Sequence, residues 1–407
     1  MKRFYIHILS HLTRFCVFLL LLLANNALAQ TTESADSLNQ IAENQEPKIS
    51  LLTCSPHQEV YSLYGHTALR VVWPERDMDV AVNYGMFSFS KPFFVLRFVF
   101  GLTDYEMGIT SFENFCAEYR YYGSEVKEQE LNLSSEEKRK ILDALMENYQ
   151  PEKRVYRYNY FYDNCTTRAR KMVTDNVSGA VACSLQVPKG MTFRKLIHQM
   201  TSQHPWAQLG NDLLLGVNAD KEVNQEDLIF LPEWTAQALD KTTVAGKPIV
   251  KATTFPVTGQ PQEVEPEFFL TPVQCALLIL ILSIIVSIIE WKKSLKIWWF
   301  DAILLTAQGL CGIVLTAMIF SQHPTVSLNL QILLFNPLPL FFGIQAMRRY
   351  LKGGKPHWMW LTGMILQSLM ILLIAFNIQW IDPAVKIMAC SLLLRYCMKI
   401  RKSETQA

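Results

Sequence analysis

Two regimes of hydrophobic patterning divide the chain near residue 271. Beyond it, apolar residues form long runs near Pro272–Ile289, Trp298–Phe320, Leu328–Met347, Trp358–Asn377 and Pro383–Cys397, the last being the shortest. A helix needs about 20 apolar residues to cross the hydrocarbon core, so this part predicts an all-α bundle of five transmembrane helices. Before residue 271 the apolar positions alternate or recur at helical spacing. Leu51–Ser55, Thr67–Trp73 and Val80–Phe87 are rich in strand-forming residues. Ser134 with Glu137 has the spacing of a capping box, and the helix that follows places Ile141, Leu142, Leu145 and Met146 on one face. Val155–Tyr162 alternates as an aromatic strand. Asp163 and Asn164 are good N-cap residues for a helix opening at Cys165, whose Ala169, Met172 and Val173 share the thiol's core-facing side. The first regime therefore predicts an α+β domain, residues 48–250.

The flanks add location. Lys2, Arg3 and Arg14 precede an apolar run, Phe15–Leu23, which ends before a small-x-small site at Ala27-Leu28-Ala29. This pattern predicts a signal peptide over residues 1–29, cleaved before Gln30; an uncleaved anchor would leave the next domain on the same side. No cysteine stands where a lipoprotein signal would place one. Residues 30–47 are polar and read as a disordered linker. Pro256, Pro261 and Pro266 make 251–271 an extended connector, short enough to keep the domain near the bilayer. The spans occupy 272–400 and a tail 401–407. Lys292, Lys293 and Lys296 follow the first span, and Arg348, Arg349, Lys352 and Lys355 follow the third. Arg395, Lys399, Arg401 and Lys402 close the chain, whereas loops 321–327 and 378–382 hold no lysine or arginine. Basic loops stay cytoplasmic, so residues 30–271 face outward. Trp298, Trp299, Trp358, Trp360 and Trp380 fall near span ends, as interfacial aromatics do. These features predict a multi-pass protein of the inner (cytoplasmic) membrane with its N-terminal domain in the periplasm.

Composition narrows the chemistry. Half of the 407 residues are hydrophobic and the formal charge is +2, which gives no case for nucleic acid. There is no Gly-rich phosphate loop, CxxC pair or internal repeat, so neither a metal nor a nucleotide cofactor is expected. The sharpest candidates are His66 in YGHTALRV and Cys165 in YFYDNCTTRAR, a base and a nucleophile able to carry an acyl group as a thioester. A helix N-terminus and a neighbouring imidazole both lower a thiol pKa. Asn83 is the candidate third group that orients the ring, and the first backbone N–H groups of the Cys165 helix are candidate oxyanion donors.

Other readings compete. Cys54, Cys116, Cys165 and Cys183 form an even set that disulfides alone would explain in an oxidising compartment. His66 can be a satisfied core histidine, and Asn83 a turn residue. His57, His198 and His204 are alternative bases. Phe87, Phe89, Phe93, Phe94, Phe98 and Phe100 read as core or as a lipid-contacting cluster. His323 and Asn329 fall in an outward loop, as head-group ligands or as a structural turn.

The segments YGHTALRV, VNYGMFSF, YYGSEVKEQELNLSSEE, YNYFYDNCTTRAR, NDLLLGVNAD and LIFLPEW resemble the outer domain of the Lnb proteins of Bacteroides-type bacteria, which are lipoprotein N-acyltransferases. HPTVSLNLQILLFNPLPL resembles the membrane part of that family, and the likeness covers nearly all of the chain after residue 48. The histidine-before-cysteine order also resembles a permuted papain-like (NlpC/LRAT-like) domain such as that of the lecithin-retinol acyltransferases. The resemblance implies Cys165 as nucleophile, His66 as base and Asn83 at the third place, where the lecithin-retinol enzymes have histidine. It implies a membrane phospholipid as acyl donor and a diacylated lipoprotein as acceptor, with no cofactor. A membrane-tethered peptidase or amidase acting on peptidoglycan, and a non-enzymatic envelope scaffold with a disulfide-bonded Cys165, are the alternatives.

Overall fold

The computed structural model describes residues 46–87, 92–260 and 268–404. The expected signal peptide, nearly all of the 30–47 linker, Phe89 and the last tail residues lie outside the described residues. The strands are β1 (Lys48–Cys54), β2 (His66–Trp73), β3 (Met78–Met86), β4 (Asp104–Ser111), β5 (Val126–Leu131), β6 (Val155–Arg157), β7 (Val181–Cys183), β8 (Thr242–Val244), β9 (Lys247–Pro248) and β10 (Val250–Val257). Seven form an antiparallel sheet in the order β10-β5-β1-β2-β3-β4-β6, and β7, β8 and β9 form a small second sheet. Successive side chains on a strand point to opposite faces. Leu51, Leu69, Val71 and Val82 therefore enter one core, and Leu52, Cys54, Ala68 and Ala81 another.

Helices cover both faces. After the short α1 (Phe94–Val99), α2 (Phe112–Tyr121) packs Phe112, Phe115, Cys116 and Tyr119 on the second face. On the first face lie α3 (Ser135–Asn148), through Ile141 and Leu145, and α4 (Cys165–Thr174), through Ala169 and Val173. The Ser134–Glu137 capping box opens α3, but Met146 is 64% exposed and does not join the core. Helices α5 (Phe193–Thr201), α6 (Pro205–Leu214), α7 (Gln225–Leu228) and α8 (Pro232–Asp240) complete the sheet-rich part, with a further core around Phe161, Phe193 and Phe230.

Two expectations change here. The strand read over Val155–Tyr162 stops at Arg157, because Asn159 accepts hydrogen bonds from the Phe161 and Tyr162 N–H groups and turns the chain. The connector read from residue 251 begins instead as edge strand β10, paired with β5. Pro256 is tolerated there because an edge strand has one unpaired side, and the register shifts around it. Residues 261–267 of that connector lie outside the described residues.

The C-terminal part is helical: α9 (Pro272–Lys293), α10 (Trp298–Ile319), α11 (Leu338–Leu351), α12 (Trp358–Ala375) and α13 (Pro383–Glu404). Four described stretches are long and apolar enough to cross a membrane: Pro272–Lys293, Trp298–Ile319, Leu330–Leu351 and Trp358–Ala375. The third is broken, with a 3-10 turn at Leu330–Leu333 and a helix beginning only after Pro337, which lacks an N–H. The fifth expected span, α13, is not among the four. Arg395 and Lys399, counted among the basic residues that close the chain, are buried on it. Arg395 pairs with Glu290 at 2.7 Å and Asp301 at 2.7 Å, and Lys399 with Glu290 at 3.0 Å and Asp301 at 2.5 Å. Two cations and two anions cancel, so α13 can pack on α9 and α12 despite its charges. Trp360, expected at an interface, is 1% exposed and packs against Tyr396.

Contacts place the loops on two sides. Lys296 Nζ donates to the Tyr350 and Leu351 carbonyls, so the basic loops after the first and third spans adjoin. At the opposite end the loops without basic residues carry the sheet-rich domain. Gly216 N–H bonds to Thr325 O and Val217 N–H to Leu328 O, while Asn218 donates to Pro324 O. Asn329 donates to Leu213 O, Gln331 to Asp212 O, and Gln379 to Leu215 O. Beneath this seam buried Arg194 pairs with Asp212 at 2.9 Å and Asp220 at 2.6 Å. Asn329 is thus a buried structural residue rather than a free ligand.

Candidate active site

The sheet presents His66 as the first residue of β2, directly opposite Cys54 on β1. Gly65 forces this entry. Its φ is +73°, and a Cβ there would lie 2.6 Å from the Cys54 carbonyl oxygen, so only glycine fits. Asn83 sits on β3 opposite Ala68, just before the irregularity that separates Asn83 from Met86. His66 Nε2 is 3.0 Å from Asn83 Oδ1. An amide oxygen can only accept, so Nε2 carries the proton and Nδ1 remains for the thiol.

Asn164 builds the other half. Its side chain accepts the Thr166 and Thr167 N–H groups at 2.9 Å each, and it donates to the Tyr160 and Phe230 carbonyls at 2.9 Å. Every polar atom of this buried amide is used, which fixes the start of α4 and so the position of Cys165. Asp163, the other candidate cap, pairs instead with Arg168 at 2.6 Å. The hydroxyls of Thr67 and Thr166, both buried, meet at 3.0 Å and tie β2 to α4 beside the pair. The cap also consumes donors expected for an oxyanion. Thr166 and Thr167 N–H are taken by Asn164 Oδ1 and Arg168 N–H by its carbonyl, which leaves the Cys165 N–H.

The three sequence candidates therefore come together. Burial, the largest single effect, pushes the Cys165 thiol up, and the His66 imidazole opposes it by both charge and hydrogen bond. The Thr67 N–H and Thr166 hydroxyl add to that, and the thiol is lowered to about 7. His66 moves the other way: burial pulls it down, but the Cys165 thiolate and the Asn83 hydrogen bond raise it. Both shifts favour a thiolate–imidazolium pair. The described cysteines are free, Cys54, Cys116 and Cys183 included. Burial raises Cys54 and Cys116, so neither competes as a thiolate.

The alternative bases are placed elsewhere. His57 stacks on Tyr122 at 4.0 Å, His198 bonds Asp212 at 2.9 Å near the membrane seam, and His204 precedes α6. His323 hydrogen-bonds the Phe98 backbone. Sequence reasoning missed Thr67, Thr166 and Tyr156. The two threonines adjoin the candidates in GHTAL and NCTT, so adjacency was the available signal. Tyr156 Oη is buried close to the Gly85 backbone, and a Cβ on Gly85 would lie 3.9 Å from that oxygen and 3.6 Å from Cys165 Cβ. No group of three or more metal-ligating side chains occurs among the described residues.

Residues 34–199 match the family model described as the Lnb N-terminal periplasmic domain, and residues 263–406 match the one described as the Lnb transmembrane domain. No curated protein and no solved structure matches the chain.

Proposed function

This chain belongs to the Lnb family, a multi-pass membrane protein with a periplasmic N-terminal domain, and from that premise we propose that it is a lipoprotein N-acyltransferase with Cys165 as its acyl carrier. The observation that carries the reading is the juxtaposition of a free Cys165 thiol with the His66 imidazole, itself oriented by the Asn83 amide, an arrangement that lowers the thiol to about 7. In the proposed reaction the Cys165 sulfur attacks an ester carbonyl of a phospholipid. The developing oxyanion takes the Cys165 N–H and the Tyr156 hydroxyl as donors. The ester C–O bond breaks, the lysophospholipid alcohol leaves with the proton held by His66, and the acyl group stays as a thioester. The α-amino group of a diacylated lipoprotein's N-terminal cysteine then attacks. His66 takes its proton, the C–S bond breaks, and an amide remains. Thioester to amide is downhill, so no nucleotide enters. Water must be excluded, or the thioester hydrolyses.

In this reading α13 is the fifth membrane helix, the membrane is the inner one, and the outer domain is a permuted papain-like fold. Support comes from the central strands, which bring histidine, amide and helix-opening cysteine together in that chain order. A tethered peptidase or amidase would want a polar approach for glycan or peptide, whereas Phe87 packs on the same core as Cys165 and is followed outward by Phe94 and Phe98. The test is the intact mass of a lipoprotein N-terminus from cells lacking the protein and complemented with Cys165→Ala. The reading expects a diacylated terminus; a triacylated one at the wild-type level would reject it.

A further inference from the structure

Segment 92–102 leaves the sheet after β3 and returns to it at β4, and several of its apolar side chains are exposed. Phe93 is 78% exposed, Leu96 55% and Phe98 44%. Its position relative to the helical region is fixed by close contacts. Phe100 O accepts the Gln322 N–H at 3.1 Å, and His323 hydrogen-bonds the Phe98 backbone. Gly101, at φ +67°, allows the approach: a Cβ there would stand 3.2 Å from the Gln322 nitrogen and 3.2 Å from His323 Cδ2. Gln322 follows the end of α10, where Phe320 is 73% exposed. With 22 residues at about 1.5 Å each, α10 is about as long as the hydrocarbon core is thick. Phe320 therefore marks the outer boundary of that core, and α1 lies at the same height. Its exposed apolar residues continue the lipid-facing surface of α10.

From this segment an aromatic row runs toward the thiol. Phe98 meets Phe94 at 6.4 Å between ring centres, Phe94 meets Phe87 at 5.7 Å, Phe87 meets Tyr105 at 5.1 Å, and Tyr105 meets Tyr158 at 4.2 Å. Phe87, Tyr158 and Cys165 all pack on the same hydrophobic core. An apolar chain laid along this row would meet aromatic rings from the segment at the bilayer to the core on which Cys165 packs.

We propose that residues 92–102 sit in the outer leaflet as a lip, and that the row Phe98–Phe94–Phe87–Tyr105–Tyr158 is the track along which a phospholipid acyl chain reaches Cys165. The lip touches lipid whatever the chemistry; the track rests on the acyl-transfer reading above. The surface commits to a lipid because it is continuous with the face of α10 that meets lipid, and because the residues it exposes are aliphatic and aromatic.

Two readouts on the full-length protein, in vesicles of phosphatidylethanolamine and phosphatidylglycerol, test it. A photoreactive benzoylphenylalanine at position 93 or 96 should crosslink to labelled phosphatidylethanolamine at least about tenfold more than the same group at position 146, an exposed site on α3. Equal crosslinking at 96 and 146 would overturn the lip. Leu96→Asp should reduce acyl transfer at limiting lipid at least about tenfold, through a higher apparent KM, with iodoacetamide labelling of Cys165 unchanged as the sign of an intact site. Wild-type transfer by Leu96→Asp would overturn the track. Crosslinking does not depend on catalysis, so acyl transfer surviving in Cys165→Ala would remove the enzymatic reading and leave the lip to be judged by its crosslinks.

Discussion

A thiol buried without a cationic neighbour is protonated at neutral pH; Cys165 differs because His66 stands beside it. The thiolate exists above its pKa, so iodoacetamide alkylation of Cys165 should rise with pH and level off through an inflection near 7. In His66→Ala, burial would act without its largest opponent. The inflection should move upward and the rate at pH 7 fall at least about tenfold. An unchanged profile in that variant would deny the pair. Turnover should fall about 10²–10⁴-fold in His66→Ala, the range for loss of a general base. In Asn83→Ala the fall should be only on the order of tenfold, because one ring hydrogen bond is worth about 1–2 kcal/mol. Steady-state acyl transfer with equal amounts of folded protein reads both.

At the scale of the element, α4 depends on its cap. Asn164→Ala removes two helix-capping bonds and leaves two carbonyls, of Tyr160 and Phe230, without their donor. The loss should be about 2 kcal/mol or more of domain stability, above the usual range for a single cap. Thermal unfolding of the variant measures it; a change within error would mean that α4 is fixed by packing alone. The cap, the cysteine and the core stripe of α4 were legible because each is a local pattern: NCTT with apolar residues at helical spacing. The strands carrying His66 and Asn83 were legible for the same reason. What escaped was long-range or competitive. Asn159 broke an otherwise alternating aromatic run, since a side chain that bonds its own backbone overrides periodicity. Residues 250–257 became an edge strand because β5 offered a partner, which a segment containing Pro256 did not announce. The Thr67–Thr166 bridge joins residues far apart in sequence, and the only local hint of it was that each threonine adjoins a site candidate.

At the scale of the molecule, the sheet-rich domain is fastened to the loops of the helical region by backbone and side-chain hydrogen bonds rather than hung from a tether. That fixes the thiol at a set height above the lipid. At the far end the buried quartet of Glu290, Asp301, Arg395 and Lys399 holds α9, α10 and α13 together. Charge counting read Arg395 and Lys399 as tail residues because their acidic partners lie about a hundred positions earlier. Glu290→Ala would leave two buried cations facing one carboxylate and should destabilise the helical region by about 3–5 kcal/mol; thermal unfolding of the purified protein checks this, and a wild-type Tm would mean the pairs are solvated. The most direct test of the whole account is to mix purified protein with phospholipid, withhold the acceptor, and determine by mass spectrometry where acyl groups are attached. The account predicts a hydroxylamine-sensitive acyl adduct on Cys165, absent from Cys165→Ala and slow to form in His66→Ala. Acyl transfer that proceeds with no adduct on Cys165, or with the adduct on another residue, would contradict it.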